Sequence, residues 1–250
     1  MNADSTYQKF AQYYDLYVAG FTEDLAVYKA FCHPQDKILE VGCGTGRVLK
    51  SFLEDGFQIT GIDISPEMLD VAQEKLARFA QQGRVKLHRH NFQDQPLAEQ
   101  YDKVLVTFYT FNYILEHPET FLKNIFVTMS AQAMLIMDLF YPKTLAHKEL
   151  DHVWTSHEFR AGDRIITLKD KRTFANGLEE RIQIYQEPGD KTEITTVRKY
   201  YPPAAIKQVL ETVGFQEIRF AEKYDPNTFK ETLNLDQITG SFLVKAVKRP

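Results

Sequence analysis

The segment Ile38 to Arg47 reads ILEVGCGTGR, an apolar strand carrying one acid, Glu40, that runs into three glycines at alternate positions. Gly42, Gly44 and Gly46 supply the backbone freedom and the missing side chains of a tight loop, which lets backbone amides approach a ligand closely. The helix that follows opens with unpaired N–H groups. A strand, a glycine turn and a helix commit the chain to β–α units, and the later pattern agrees. Two helical stretches, YQKFAQYYDLY and TEDLAVYKAFC, precede a strand over 37–41, a helix over 45–55 and a strand over 58–62. Ser65, Pro66 and Glu67 form an N-cap, a first-turn proline and an acid that open a helix through Ala80. Strands are expected at 85–89, 104–108 and 133–139, with a helix over 118–129 before the last of them. The fifth strand is apolar throughout, as when both faces are covered. The alternation predicts an α/β fold with a doubly wound, mostly parallel sheet.

Seventeen residues beyond Gly46 the second strand ends in Asp63, an acid placed to accept hydrogen bonds from ribose hydroxyls. Two adjacent strand ends therefore address one nucleoside. The dinucleotide fingerprint is GxGxxG, whereas this chain has GxGxG with Arg47 where no third offset glycine occurs. In these residues the chain resembles the class I S-adenosylmethionine-dependent methyltransferases, whose first motif is an acid, a small gap and GxGxG. The resemblance implies S-adenosyl-L-methionine as cofactor, with Glu40, Gly42, Cys43, Gly44 and Gly46 around its methionine part, Asp63 at the ribose and Ile64 on the adenine. It also implies a Rossmann-like sheet of seven strands, the last inserted antiparallel between the fifth and sixth. At the end of the third strand, where relatives commonly carry an acid for the adenine amino group, this chain has Asn91. Its amide oxygen can accept that bond while the Phe92 N–H donates to a ring nitrogen. Asp94 is the alternative if the loop is shifted, and Phe92 is equally at home as a core aromatic.

The fourth strand leads into TFYTFNYI, Thr107 to Ile114, an aromatic cluster at the carboxyl end of the sheet where ligands of open α/β folds bind. Cofactor and acceptor are expected to meet there, with Phe108 and Tyr113 on the cofactor side. Together with the first helix, this cluster resembles the bacterial branch acting on small metabolites, many of whose members modify amines and some hydroxyls. No Asn-Pro-Pro-Tyr tetrad and no Pro-Cys pair occupies this place, which speaks against nucleobase amino-group and cytosine carbon methylation. Tyrosine faces at positions 7, 14, 109, 113 and 141 can surround a cation. Tyr14 and Tyr17 share a helical face, so residues 1–33 are expected to close over the site as a helical lid. After Pro142, alternating segments broken by turn signals at 161–162, 176–177 and 188–189 predict an antiparallel meander inserted as a cap over 151–201. Its period-2 pattern predicts one packed and one solvated face.

For an acceptor proton, the candidates are Tyr14, whose hydroxyl can orient the acceptor, and His152 and His157 as bases near neutrality. His33, His88, His90, His117 and His147 have less to recommend them. No cysteine or acid joins His88 and His90 in a metal set, so no metal is expected. A net charge of −4 and a pI near 6.0 argue against a phosphate-neutralising surface, hence against nucleic acid. Two cysteines form no disulfide framework and no apolar run reaches ~18 residues, so a cytoplasmic protein without membrane contact is expected. The 250 residues, 44% hydrophobic, suffice for one catalytic domain over 1–250. A homodimer is left open. The expected function is methyl transfer to a small-molecule acceptor, nitrogen favoured over oxygen. The rivals are a protein or RNA methyltransferase, a nicotinamide-dependent reductase and a cofactor-binding regulatory protein without turnover.

Overall fold

A computed structural model describes residues 3–18, 20–142, 151–161, 163–222, 224–231 and 234–249. Two helices come first, α1 (Ala3–Val18) and α2 (Leu25–Lys29). There follow β1 (Ile38–Val41), α3 (Arg47–Glu54), β2 (Ile59–Asp63), α4 (Pro66–Gln81), β3 (Val85–Arg89), β4 (Tyr101–Val106), α5 (Pro118–Thr128) and β5 (Met129–Tyr141). Four antiparallel strands come next, β6 (Trp154–Ala161), β7 (Arg164–Ala175), β8 (Leu178–Glu187) and β9 (Asp190–Lys199). The chain ends with α6 (Pro203–Val213), β10 (Gln216–Ala221) and β11 (Gly240–Val247).

Seven strands form one sheet in the order β10-β11-β5-β4-β1-β2-β3. β1 pairs in parallel with β2 and β4, and β11 runs antiparallel between β5 and β10, as the family pattern implied. The sheet is buried on both faces. Leu39, Val41, Val104, Val106, Leu135 and Met137 pack toward α5 and α6, whereas Ile38, Leu105 and Ile136 pack toward α2, α3 and α4. Glu40 and Asp138 belong to this second face at the carboxyl ends of their strands, so acids are buried where the sheet opens to the site.

Local chemistry sets the boundaries. α3 starts at Arg47, two residues later than the sequence suggests, because the turn runs to Gly46, whose φ of 80° makes it a left-handed N-cap. β4 ends at Val106 because Phe108 and Tyr109 turn left-handed, at φ 50° and 61°. α4 opens as expected: the Ser65 hydroxyl accepts from the Met68 N–H at 3.2 Å, with Pro66 in the first turn.

The inserted meander is a separate sheet in the order β6-β7-β8-β9. Its inner face is packed but not apolar along its length. Ile166, Leu168, Tyr185 and Ile194 pack under Phe10 and Tyr13 of α1, with Tyr13 stacked on Tyr185 at 5.0 Å. Further along the same strands the inner positions are Asp170, Arg172, Glu179, Arg181 and Arg198. Asn112 joins the two sheets: its buried amide donates to the carbonyls of Phe140 and Lys199 at 3.2 and 2.8 Å and accepts from the Phe140 N–H at 3.0 Å. Among the described residues no helix is long and apolar enough to cross a membrane.

Candidate active site

The glycine loop and Asp63 are one hydrogen-bonded unit. The Gly42 and Cys43 amides both donate to the Ile62 carbonyl at 2.9 Å, and the Gly44 amide donates to Asp63 Oδ2 at 2.8 Å. The other Asp63 oxygen accepts from the Ser65 N–H at 2.9 Å. These loop amides are therefore spent on the protein itself, and what the glycines leave for a ligand is close approach. A Cβ at Gly44 would have no atom within 4 Å, so space lies open above it. Gly42 is demanded by packing: a Cβ there would sit 2.4 Å from the Thr110 methyl, in a left-handed backbone at φ 72°. Burial pushes the Asp63 carboxyl above its ordinary value, opposed by amide donors at Ser65, Gly44 and Ile64.

Glu40 lies buried behind the loop. The Thr107 hydroxyl donates to its Oε1 at 2.7 Å, while Oε2 is buried without a partner. Burial raises its pKa to about 8, although Thr107 and Arg47 pull the other way. A carboxyl with one unanswered buried oxygen is poised to receive a donor or cation. Cys43 turns its thiol into the core, packed toward Gly61, so only its backbone belongs to the loop. Ile64 is 64% exposed, an apolar side chain lying open beside Asp63.

A cavity of about 560 Å³ lies above this floor. Gly42, Gly44, Asp63, Ile64, Asn91 and Phe92 line one end, and Tyr14, Phe108, Tyr113 and Phe140 line its middle. Its far end is the four-stranded sheet: Arg172, Arg181, Gln183, Thr196 and Arg198. Asn91 Oδ1 accepts from the Gln93 N–H at 3.0 Å, a turn within its own loop. Phe92 is almost wholly buried, edge-on to His90 and Phe121, and still reaches the cavity wall. Asp94, its rival at this end, is not among the lining residues.

Helix α1 closes the cavity from above. Tyr14 meets Phe108 edge-on at 6.2 Å, and Asp15 accepts from the Thr45 hydroxyl of the glycine loop and pairs with Lys75 of α4. Burial pushes the Tyr14 phenol well up, which keeps it a proton donor near neutral pH. The histidines divide. His157 lines a smaller adjoining recess of about 210 Å³, shared with Tyr17, Arg172 and Arg181. His152 is exposed beside Asp151 and does not line the cavity. His147 lies outside the described residues.

Residues 38–131 match the methyltransferase domain family. This match, the relatives and the fold together support a class I S-adenosylmethionine-dependent methyltransferase. A protein of Bacillus subtilis (strain 168), YqeM, provisionally named a methyltransferase, is 27% identical over 227 residues, covering 84% of this chain and 86% of its own. An S-adenosylmethionine-dependent methyltransferase of Clostridium acetobutylicum ATCC 824 has the same fold, with a TM-score of 0.75 at 16% identity, over 98% of this chain and 99% of its own. The sugar N-methyltransferase KedS8 of Streptoalloteichus sp. ATCC 53650 aligns at a TM-score of 0.68 and 17% identity, over 95% and 93% of the two chains. At these identities the structural likeness is one of fold.

Several supports of this methyltransferase's site escape sequence reasoning. Arg47 donates to both carboxylate oxygens of the fully buried Asp24, at 2.9 and 2.6 Å, and to the Phe21 carbonyl at 2.9 Å. Its guanidinium also lies 4.9 Å from the Phe108 ring centre, so one side chain joins the α1–α2 link to the cavity wall. Asp24 has no motif to announce it. Gly61 did offer a signal, a glycine inside an apolar strand, which marks close packing: a Cβ there would lie 2.6 Å from Leu49.

Proposed function

We propose that this methyltransferase acts on a small-molecule acceptor, nitrogen favoured over oxygen, with cofactor and acceptor sharing the single cavity between the glycine loop and the cap sheet. That shared cavity carries the reading. Its floor fits the cofactor: open space over Gly44, the Asp63 carboxylate, the exposed Ile64 face and the unpartnered Glu40 oxygen are complementary to a compact, cationic nucleoside. In this reading Asp63 holds the ribose, Ile64, Asn91 and Phe92 border the adenine, and Gly42, Cys43, Gly44 and Gly46 shape the loop beneath the methionine part with Glu40 behind it. Phe108 and Tyr113 flank the reacting end. When bound, the cofactor supplies an electrophilic methyl group on a sulfonium.

The chain's own part is positioning and exclusion of water, which can supply much of the acceleration. Helix α1 serves as the lid and β6 to β9 as the cap that selects the acceptor. Tyr14, held protonated, donates a hydrogen bond that orients the acceptor. Among the described residues lining the cavity the only histidine is His90, at the Asn91 end. An amine that attacks as its free base needs no strong base, whereas a hydroxyl does, and this favours nitrogen. His157, in the adjoining recess, is the candidate to take up a proton. The fold that this chain shares with the sugar N-methyltransferase KedS8 points the same way. Cys32 and Cys43 are free thiols, in keeping with a cytoplasmic setting.

The test is transfer of a labelled methyl group into a native metabolite extract, followed by mass identification of the product. Label in a small amine is expected; label confined to protein or RNA would overturn the assignment.

A further inference from the structure

The cap end of the cavity carries a charge imbalance that the cofactor does not address. Arg172 of β7 and Arg181 of β8 stand directly opposite each other, and the neighbouring register sets Glu179 of β8 against Arg198 of β9. Like charges facing across a ladder destabilise a sheet. Arg181 is answered by Asp170, its Nε donating to both carboxylate oxygens at 3.0 and 2.9 Å. Arg198 is answered by Glu179, at 3.0 Å from its Nε, and the Tyr200 hydroxyl takes the second Glu179 oxygen at 2.5 Å. Both carboxylates are thereby committed. Arg172 reaches them only at 3.5 and 4.0 Å. Its side chain is 36% exposed, against 13% for Arg181 and 10% for Arg198.

Among the described residues three guanidinium groups thus share two carboxylates, and the loosely held one is turned to the ligand space. Arg172 lines the main cavity and also the adjoining recess, where Tyr17, Thr155 and His157 surround it. A guanidinium cannot shed its charge by deprotonation. Its planar fork matches the paired oxygens of a carboxylate or phosphate. The whole chain is acidic, at −4, so this positive spot is local and does not reflect a basic surface.

We propose that the methyl acceptor carries an oxyanion, a carboxylate or a phosphate, and that Arg172 receives it at the mouth of the recess, with Arg181 and Arg198 completing the positive wall. The inference rests on the reading that the acceptor binds in this cavity, and it narrows that reading from any small molecule to an acidic one. The acidic arm lies at the cap end and directs the nucleophile toward the glycine-loop end.

The enzyme is titrated at low ionic strength with inorganic phosphate, pyrophosphate and malonate, against chloride as control, by calorimetry and by melting temperature. Wild type is expected to bind at least one of them. Arg172→Gln should weaken that binding by about tenfold or more, the value of a charge-assisted hydrogen bond, and Arg172→Lys, which keeps the charge and loses the fork, should fall between. S-adenosylhomocysteine affinity should stay unchanged in both variants. Preference for the phosphates or for malonate tells a phosphoryl from a carboxylate acceptor. In a second arm, labelled methyl transfer is run on a metabolite extract split by anion exchange, and label should appear in the retained fraction. Indifference of wild type to all three anions, equal anion binding in Arg172→Gln, or label only in the unretained fraction overturns the proposal. Failure of S-adenosylhomocysteine to bind would sink the cofactor reading instead, and the anion titrations would still decide this one.

Discussion

The floor of the cavity and its cap both bury charge in excess of its partners, but with opposite sign, and the two excesses are resolved differently. On the floor, among the described residues, the acids Glu40, Asp24, Asp63 and Asp138 outnumber Arg47, which Asp24 claims. The surplus is taken up by protons: burial lifts Glu40 to about 8 and Asp138 to about 7. On the cap, Arg172, Arg181 and Arg198 outnumber Asp170 and Glu179. There Asp170 stays charged: burial alone would raise it, yet Arg181 and Arg172 outweigh burial and hold the group below its usual value. No proton can leave a guanidinium to balance the account. A floor that can ionise on demand suits a cationic cofactor, and a cap with a fixed positive surplus suits an acidic acceptor.

The largest expected effect separates the one fully paired charge of the floor from the rest. Asp24→Ala leaves the Arg47 guanidinium buried without its partner and should cost about 3–5 kcal/mol of stability, read from the denaturant midpoint. A loss below ~1 kcal/mol would show that Arg47 is held by its aromatic neighbours and the Phe21 carbonyl instead.

A smaller effect tests the protonated surplus through pH. Glu40 has a higher pKa folded than unfolded, so the folded state holds the extra proton; its contribution is complete at low pH and is lost as pH rises. Between about 4.5 and about 8, stability should fall by up to ~1.4 kcal/mol per pH unit for this proton. Asp138 adds a similar decline that ends near pH 7. Glu40→Gln should flatten the profile between pH 7 and 8, and an unaltered slope in that window would contradict the assignment. Arg172→Gln should leave this slope unchanged, because it lies in the other sheet and leaves Glu40 and Asp138 untouched.

The smallest effect concerns the exposed apolar face. Ile64→Ala removes a side chain already in solvent, so stability should hold while S-adenosylhomocysteine affinity drops roughly fivefold, about 1 kcal/mol of lost apolar contact. An unchanged dissociation constant would take Ile64 out of the adenine site.

The same comparison explains what could be read from the chain beforehand. The floor was legible because it is local in sequence: Glu40, the glycines and Asp63 lie on consecutive elements, and a strand, turn and helix fix their relation. The place of the last of the seven strands, antiparallel between the fifth and sixth, followed from the family that those residues resemble. The cap was legible only as a meander. That Arg172 faces Arg181 depends on pairing register, which period-2 alternation does not give, and the alternation does not tell that half of the packed face is charged. Asp24 and Asn112 carry no motif, since each acts across long stretches of chain on a partner that only the fold supplies. His152 and His157 stand only five residues apart, yet one lies beside Asp151 outside the cavity and the other in the recess with Arg172.

The most direct measurement is calorimetric titration of S-adenosylhomocysteine into wild type, Asp63→Ala and Asp63→Asn, with folding of each variant checked by its melting transition. Wild type should bind on the order of micromolar, and Asp63→Ala should lose roughly 100-fold, the cost of removing hydrogen bonds to a charged acceptor, with Asp63→Asn in between. Equal affinity in all three folded proteins, or no heat with wild type, would contradict the placement of the nucleoside between the glycine loop and Asp63.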